Sequence, residues 1–118
     1  MADPRLENLM TYTVFHLGVY LSLFTALIGA GILASLDHWL LRLSVACFVI
    51  AGVAGAVIGS NIPEFTTAEA FFSAKFGPWG LKFMTYNVWA TIEHGAFWIG
   101  FGLLAIPFLF CGPKAFKQ

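Results

Sequence analysis

The stretch MTYTVFHLGVYLSLFTALIGAGILASL, Met10 to Leu36, contains no Asp, Glu, Lys or Arg. At ~1.5 Å of rise per residue a helix of this length reaches ~40 Å. That exceeds the ~30 Å hydrocarbon core of a bilayer. It reads as a transmembrane helix that tilts, or whose ends enter the headgroups. The residues before it carry Asp3, Arg5 and Glu7 instead of a basic cluster, and the apolar run is far longer than that of a signal peptide. The span is therefore expected to be retained. It ends at the polar pair Asp37-His38.

Two more long apolar runs follow, each with one charged residue inside it. The second is Trp39 to Ser60, with Arg42 one turn inside, close enough to the end to snorkel to the headgroups. The third is Met84 to Cys111, with Pro107 near its end predicting a kink. Composition agrees with three spans. Hydrophobic residues make up 59% of the 118 residues and charged residues only 10%, with mean hydropathy +0.83. A soluble domain carries ~25% charged residues to cover its surface. The net charge is zero, so nothing points to a basic nucleic-acid surface.

Asn61 to Phe83 is too polar to span and too aromatic for a plain loop. Thr66 followed by Glu69 predicts a capping box opening a helix through Ala68, Phe71, Phe72 and Phe76 to Gly77-Pro78. With Glu69 and Lys75 on its polar side, this helix is expected to lie among the headgroups. The fold class is thus an all-α integral membrane protein forming one domain over residues 1–118. It has transmembrane helices at about 10–36, 39–60 and 84–111 and a short interfacial amphipathic helix within 61–83.

Orientation is nearly balanced. Arg5, Lys75 and Lys82 fall on one side, Arg42, Lys114 and Lys117 on the other, so the positive-inside comparison ties. The C-terminal tail lacks acids, which tilts the expectation toward a cytoplasmic C-terminus.

Helices in lipid associate by close backbone approach and polar contacts. Ala51, Gly55 and Gly59 form one small-residue row of the second span, with Gly52, Ala56 and Ser60 beside it. Ala26, Ala30 and Ala34 in the first span and Ala96 and Gly100 in the third offer matching surfaces. Gly52, Gly55, Gly59 and Gly100 are the expected packing positions. Thirteen phenylalanines and four tryptophans leave broad lateral faces, so the expected partners are lipids and other membrane subunits or further copies of the chain.

His16, Glu93 and His94 are the ionisable residues deep in the spans. An intramembrane charge costs roughly 2.5–3.5 kcal/mol on insertion scales, which makes each a functional candidate. Neutral His16 and His94 suit axial ligation of haem or a chlorophyll-type pigment, or hydrogen bonds between helices. Counted from the shared starts of two parallel spans, they differ in depth by ~6 Å, which tilt can close. Glu93 is expected to line an ion or proton path or to form a buried hydrogen bond. Neighbouring helical residues point ~100° apart, so Glu93 and His94 are not expected to form a bidentate site by themselves.

No metal site is expected: a Glu-x-x-His pair is missing, and Cys47 and Cys111 lack the spacing of a thiolate site. No catalytic motif occurs either. These features predict a non-catalytic accessory subunit of a larger membrane complex, of redox or photosynthetic kind, with a tetrapyrrole on a membrane histidine as an extension. The alternative is a homo-oligomeric channel or transporter using the Glu93/His94 site.

Overall fold

The computed structural model describes residues 3–33 and 38–116. Helix α1 runs over Pro4–Leu33, α2 over Trp39–Asn61, α3 over Ala68–Ser73 and α4 over Tyr86–Cys111, joined by short 3-10 turns. Two-residue strands β1 (Lys75–Phe76) and β2 (Met84–Thr85) pair antiparallel, with Lys75 opposite Thr85 and Phe76 opposite Met84. Among the described residues, three helices are long and apolar enough to cross a membrane. The expected end of the first span at residues 34–36, the small residue Ala34, and the charges Asp37 and Lys117 lie outside the described residues.

Helix α1 begins six residues before the expected start. Pro4 occupies its first position, where a missing N–H costs nothing, and Asp3 caps it through Arg5 N–H···Oδ1 at 3.0 Å. The other Asp3 oxygen accepts the Ala68 N–H at 2.9 Å, so one carboxylate serves the first turns of α1 and α3. Arg5 then bridges Asp3 and Glu69 at 3.1 and 2.6 Å. At ~45 Å, α1 is longer than the ~30 Å hydrocarbon core of a bilayer.

Helix α2 lies at the centre. Half of its apolar window is buried, against 11% for α1 and 6% for α4. His38 caps it by accepting the Leu40 N–H on Nδ1 at 3.1 Å. Helices α2 and α4 cross closely at Gly100, where an added Cβ would meet Cys47 Cβ at 2.9 Å and Ser44 O at 3.3 Å. Ser44 Oγ donates to Gly100 O at 3.1 Å across this crossing. Helix α4 continues through Pro107 to Cys111 before Gly112 ends it.

The segment between α2 and α4 differs from expectation. Thr67, not Thr66, is the cap of α3, accepting the Ala70 N–H at 3.2 Å. Glu69 is taken up by Arg5 instead of closing a capping box. The helix stops at Ser73 because Phe76 is held elsewhere: it pairs with Met84, and its carbonyl accepts the buried Trp89 Nε1–H at 2.9 Å. Phe71 is fully buried, stacked on Phe76 and edge-on to Phe65. Leu6, Ile62, Ala68 and Trp89 complete this cluster. The segment folds into a small cap over one end of the three long helices, with Phe71 facing inward.

Candidate functional site

Helix periodicity sets the site. Tyr12, His16 and Tyr20 are four residues apart and share one face of α1. Tyr20 and Glu93 are buried, with Glu93 only 4% exposed. Helix α4 brings Glu93, His94 and Phe97 to the same level, and α2 supplies Gly55 behind them.

Glu93 divides its two oxygens between two sides. Oε2 is directed at α2, where a Cβ on Gly55 would stand only 2.5 Å away. Oε1 lies 3.1 Å from His94 Nε2. The neighbouring side chains thus bridge the ~100° between them and touch each other. This contact has the length of an ion pair without forming a hydrogen bond, because His94 Nε2, Glu93 Oε2 and the Tyr20 hydroxyl are all buried without a hydrogen-bond partner.

His16 and His94 also meet, with ring centroids 6.0 Å apart and planes at 63°. His16 Nδ1 lies 2.8 Å from the Tyr12 carbonyl oxygen. A carbonyl only accepts, so Nδ1 carries the proton and donates, which leaves Nε2 of the neutral ring as an acceptor. Tyr12, Phe15, Tyr20, Phe97 and Trp98 join the two histidines in lining a cleft of about 390 Å³ on the side where α1 and α4 diverge.

A tetrapyrrole fits this cleft poorly. A benzene-sized ring fills a cavity of about 150 Å³, so four pyrrole rings need about 600 Å³ by the same scaling. His94 Nε2 is buried against Glu93 instead of facing an axial position opposite His16. His16 Nε2 is left for a ligand, since its Nδ1 is engaged by the Tyr12 carbonyl. Among the described residues, no three His, Cys, Asp or Glu side chains are arranged to hold a metal ion.

The small residues behave unequally. Gly100 and Gly55 sit in close crossings, while a Cβ at Gly59 would make only an ordinary 3.4 Å contact with Thr13. At Gly52 a Cβ would meet nothing within 4 Å. Gly52 lines an open apolar groove between α1 and α2 with Leu17, Phe24 and Val53, so within one chain it is not a packing position. Ala26 and Ala30 of α1 are exposed. Tyr20 escaped the sequence reading, although its four-residue spacing from His16 was the available signal. The chain matches no protein-family model, no curated protein and no solved structure.

Proposed function

We propose that this chain is a multi-pass membrane protein that works as a non-catalytic subunit of a larger membrane assembly, to which it contributes the α1–α4 cleft. The observation that carries this reading is the unmet hydrogen bonding of Tyr20 and His94, which line the cleft, and of Glu93 packed beside them. A buried polar group without a partner costs about 1–3 kcal/mol, and lipid offers no water to repair it. A neighbouring subunit or a bound molecule with one polar group would supply what the three helices lack. The outward faces of α1 and α4 are correspondingly large and aromatic, with Phe15, Trp98 and Phe108 exposed. The amphipathic cap belongs at the headgroups, with the C-terminus at the cytoplasmic face.

Mild detergent extraction from native membranes, followed by native mass spectrometry and an absorption spectrum, tests the proposal. It predicts other subunits in fixed stoichiometry. A discrete homo-oligomer with nothing else bound refutes it.

That second result would favour the homo-oligomeric proton path. The observation supporting it is the convergence of four titratable side chains, Tyr20, Glu93, His94 and His16. Toward the C-terminal end of α4, however, the cluster is closed off by Phe97 and Phe48, whose ring centroids are 5.9 Å apart.

A further inference from the structure

The cleft between α1 and α4 has walls, a polar base and an exit, and each limits what it can receive. Its walls are aromatic: Phe15, Phe97 and Trp98. Tyr20 lines its base, with its hydroxyl buried and making no hydrogen bond. His16 adds an acceptor, because its Nδ1–H is already given to the Tyr12 carbonyl. Its volume of about 390 Å³ suits one or two rings, at about 150 Å³ for a benzene-sized ring. Phe15 and Val19 are shared with a neighbouring apolar groove of about 470 Å³ that runs along α1 past Val14, Gly18, Ser22 and Leu23. Gly18 keeps that groove open, since a Cβ there would touch nothing within 4 Å.

We propose that this cleft binds the ring head of a membrane quinol or quinone, with the isoprenoid tail lying in the groove along α1 at Gly18. This deepens the subunit reading, because it names an occupant for the site that reading assigns. A quinol hydroxyl donates to His16 Nε2 and accepts from the Tyr20 hydroxyl, satisfying both at once. A quinone carbonyl only accepts, so it uses Tyr20 and leaves His16 unmet. The reduced form is therefore preferred. A planar ring stacks against Phe97 and Trp98, and an apolar tail matches a groove whose one polar side chain is Ser22.

The test uses the full chain in phosphatidylcholine nanodiscs, with decylubiquinol and decylubiquinone as probes and tryptophan quenching as readout. Saturable quenching is expected, with the quinol binding about three- to ten-fold more tightly for its extra hydrogen bond. Tyr20→Phe weakens both forms by a similar factor, and His16→Phe removes only the quinol preference. Circular dichroism and gel filtration establish that these variants fold. Gly18→Leu adds its side chain to open space, so it leaves the fold intact, weakens the decyl probes and spares the tail-less ubiquinone-0. The proposal is overturned if neither probe saturates, or if all three variants bind both forms as the parent does. Displacement of the probes by equimolar cholesterol also overturns it. Because the isolated chain is used, failed binding alongside co-purifying subunits rejects only the ligand. Binding by a chain that has no partner subunits rejects only the subunit reading.

Discussion

Gly55 and Glu93 occupy one space: a Cβ on Gly55 would stand 2.5 Å from Glu93 Oε2 and 3.1 Å from Leu17 Cδ2. The glycine on α2 makes room for a carboxylate on α4, and the leucine on α1 closes the pocket from the third side. The small residue therefore admits a polar group to the middle of three apolar helices, in addition to letting backbones approach.

Gly55→Ala forces the carboxylate or α1 to move. Overpacking of this kind costs about 1–3 kcal/mol. Glu93→Ala in the same chain vacates the space, so the double variant is expected to regain most of the loss. Thermal unfolding in detergent measures the coupling. Additive losses would show that the two residues do not share a site.

Gly100→Leu and Gly52→Leu are expected to diverge. At Gly100 the new side chain meets Cys47, Phe48 and the Ser44 carbonyl, so the α2–α4 crossing opens and stability falls. At Gly52 it enters an open groove, and the isolated chain keeps its unfolding temperature. Ser44→Ala removes a hydrogen bond between helices, worth about 0.6 kcal/mol on average within membranes.

Glu93→Gln keeps the shape of the side chain while removing its titration. If the site serves binding, the assembly survives this change. If it serves proton movement, pH-dependent flux in proteoliposomes is abolished. Retained flux would sink the proton-path reading.

The three long helices were legible because each is a long apolar run with at most one charged residue inside it, and in lipid that pattern has few structural alternatives. The start of α1 was missed because Arg5 and Glu7 look like flanking polarity. The partners of Arg5, namely Asp3 and Glu69, lie within the same turn and more than sixty residues away respectively. The end of α3 was missed for a similar reason. Local sequence favours helix through Phe76, but the Trp89 indole and Met84 claim that residue from a distance. Glu93 and the two histidines were visible as rare residues in apolar runs. Tyr20 was not, since a tyrosine in a span reads as ordinary bulk until its hydroxyl is known to be buried and unpaired.

Acid is expected to loosen the cap selectively. The Ala68 N–H, followed by the Arg5 guanidinium, holds the Asp3 carboxyl down at about 2, from an ordinary value of 3.8. A depressed carboxyl stabilises the folded form above its unfolded pKa, and this contribution disappears as pH falls from about 4 through about 2. Hydrogen exchange at the Ala68 amide should accelerate over that interval while α2 amides stay protected. Asp3→Asn removes the titrating carboxyl and should flatten the dependence. An unchanged acid response in that variant would assign it to another group.

Trp89→Phe deletes the indole donor to the Phe76 carbonyl and leaves a buried acceptor unpaired. A cost of about 1–3 kcal/mol is expected, seen as faster proteolysis within 74–83 without loss of the long helices.

The cap draws its parts from both ends of the sequence: Leu6 from the first helix, Phe71 from the connector and Trp89 from the third. Its assembly therefore reports on topogenesis. In a bilayer, Leu6 and Trp89 would reach the same side only when both α1 and α2 cross it. Failure of either one would place them on opposite sides and leave Phe71 uncovered. Closing the cap therefore depends on the direction in which the first two long helices run, and not on the connector alone.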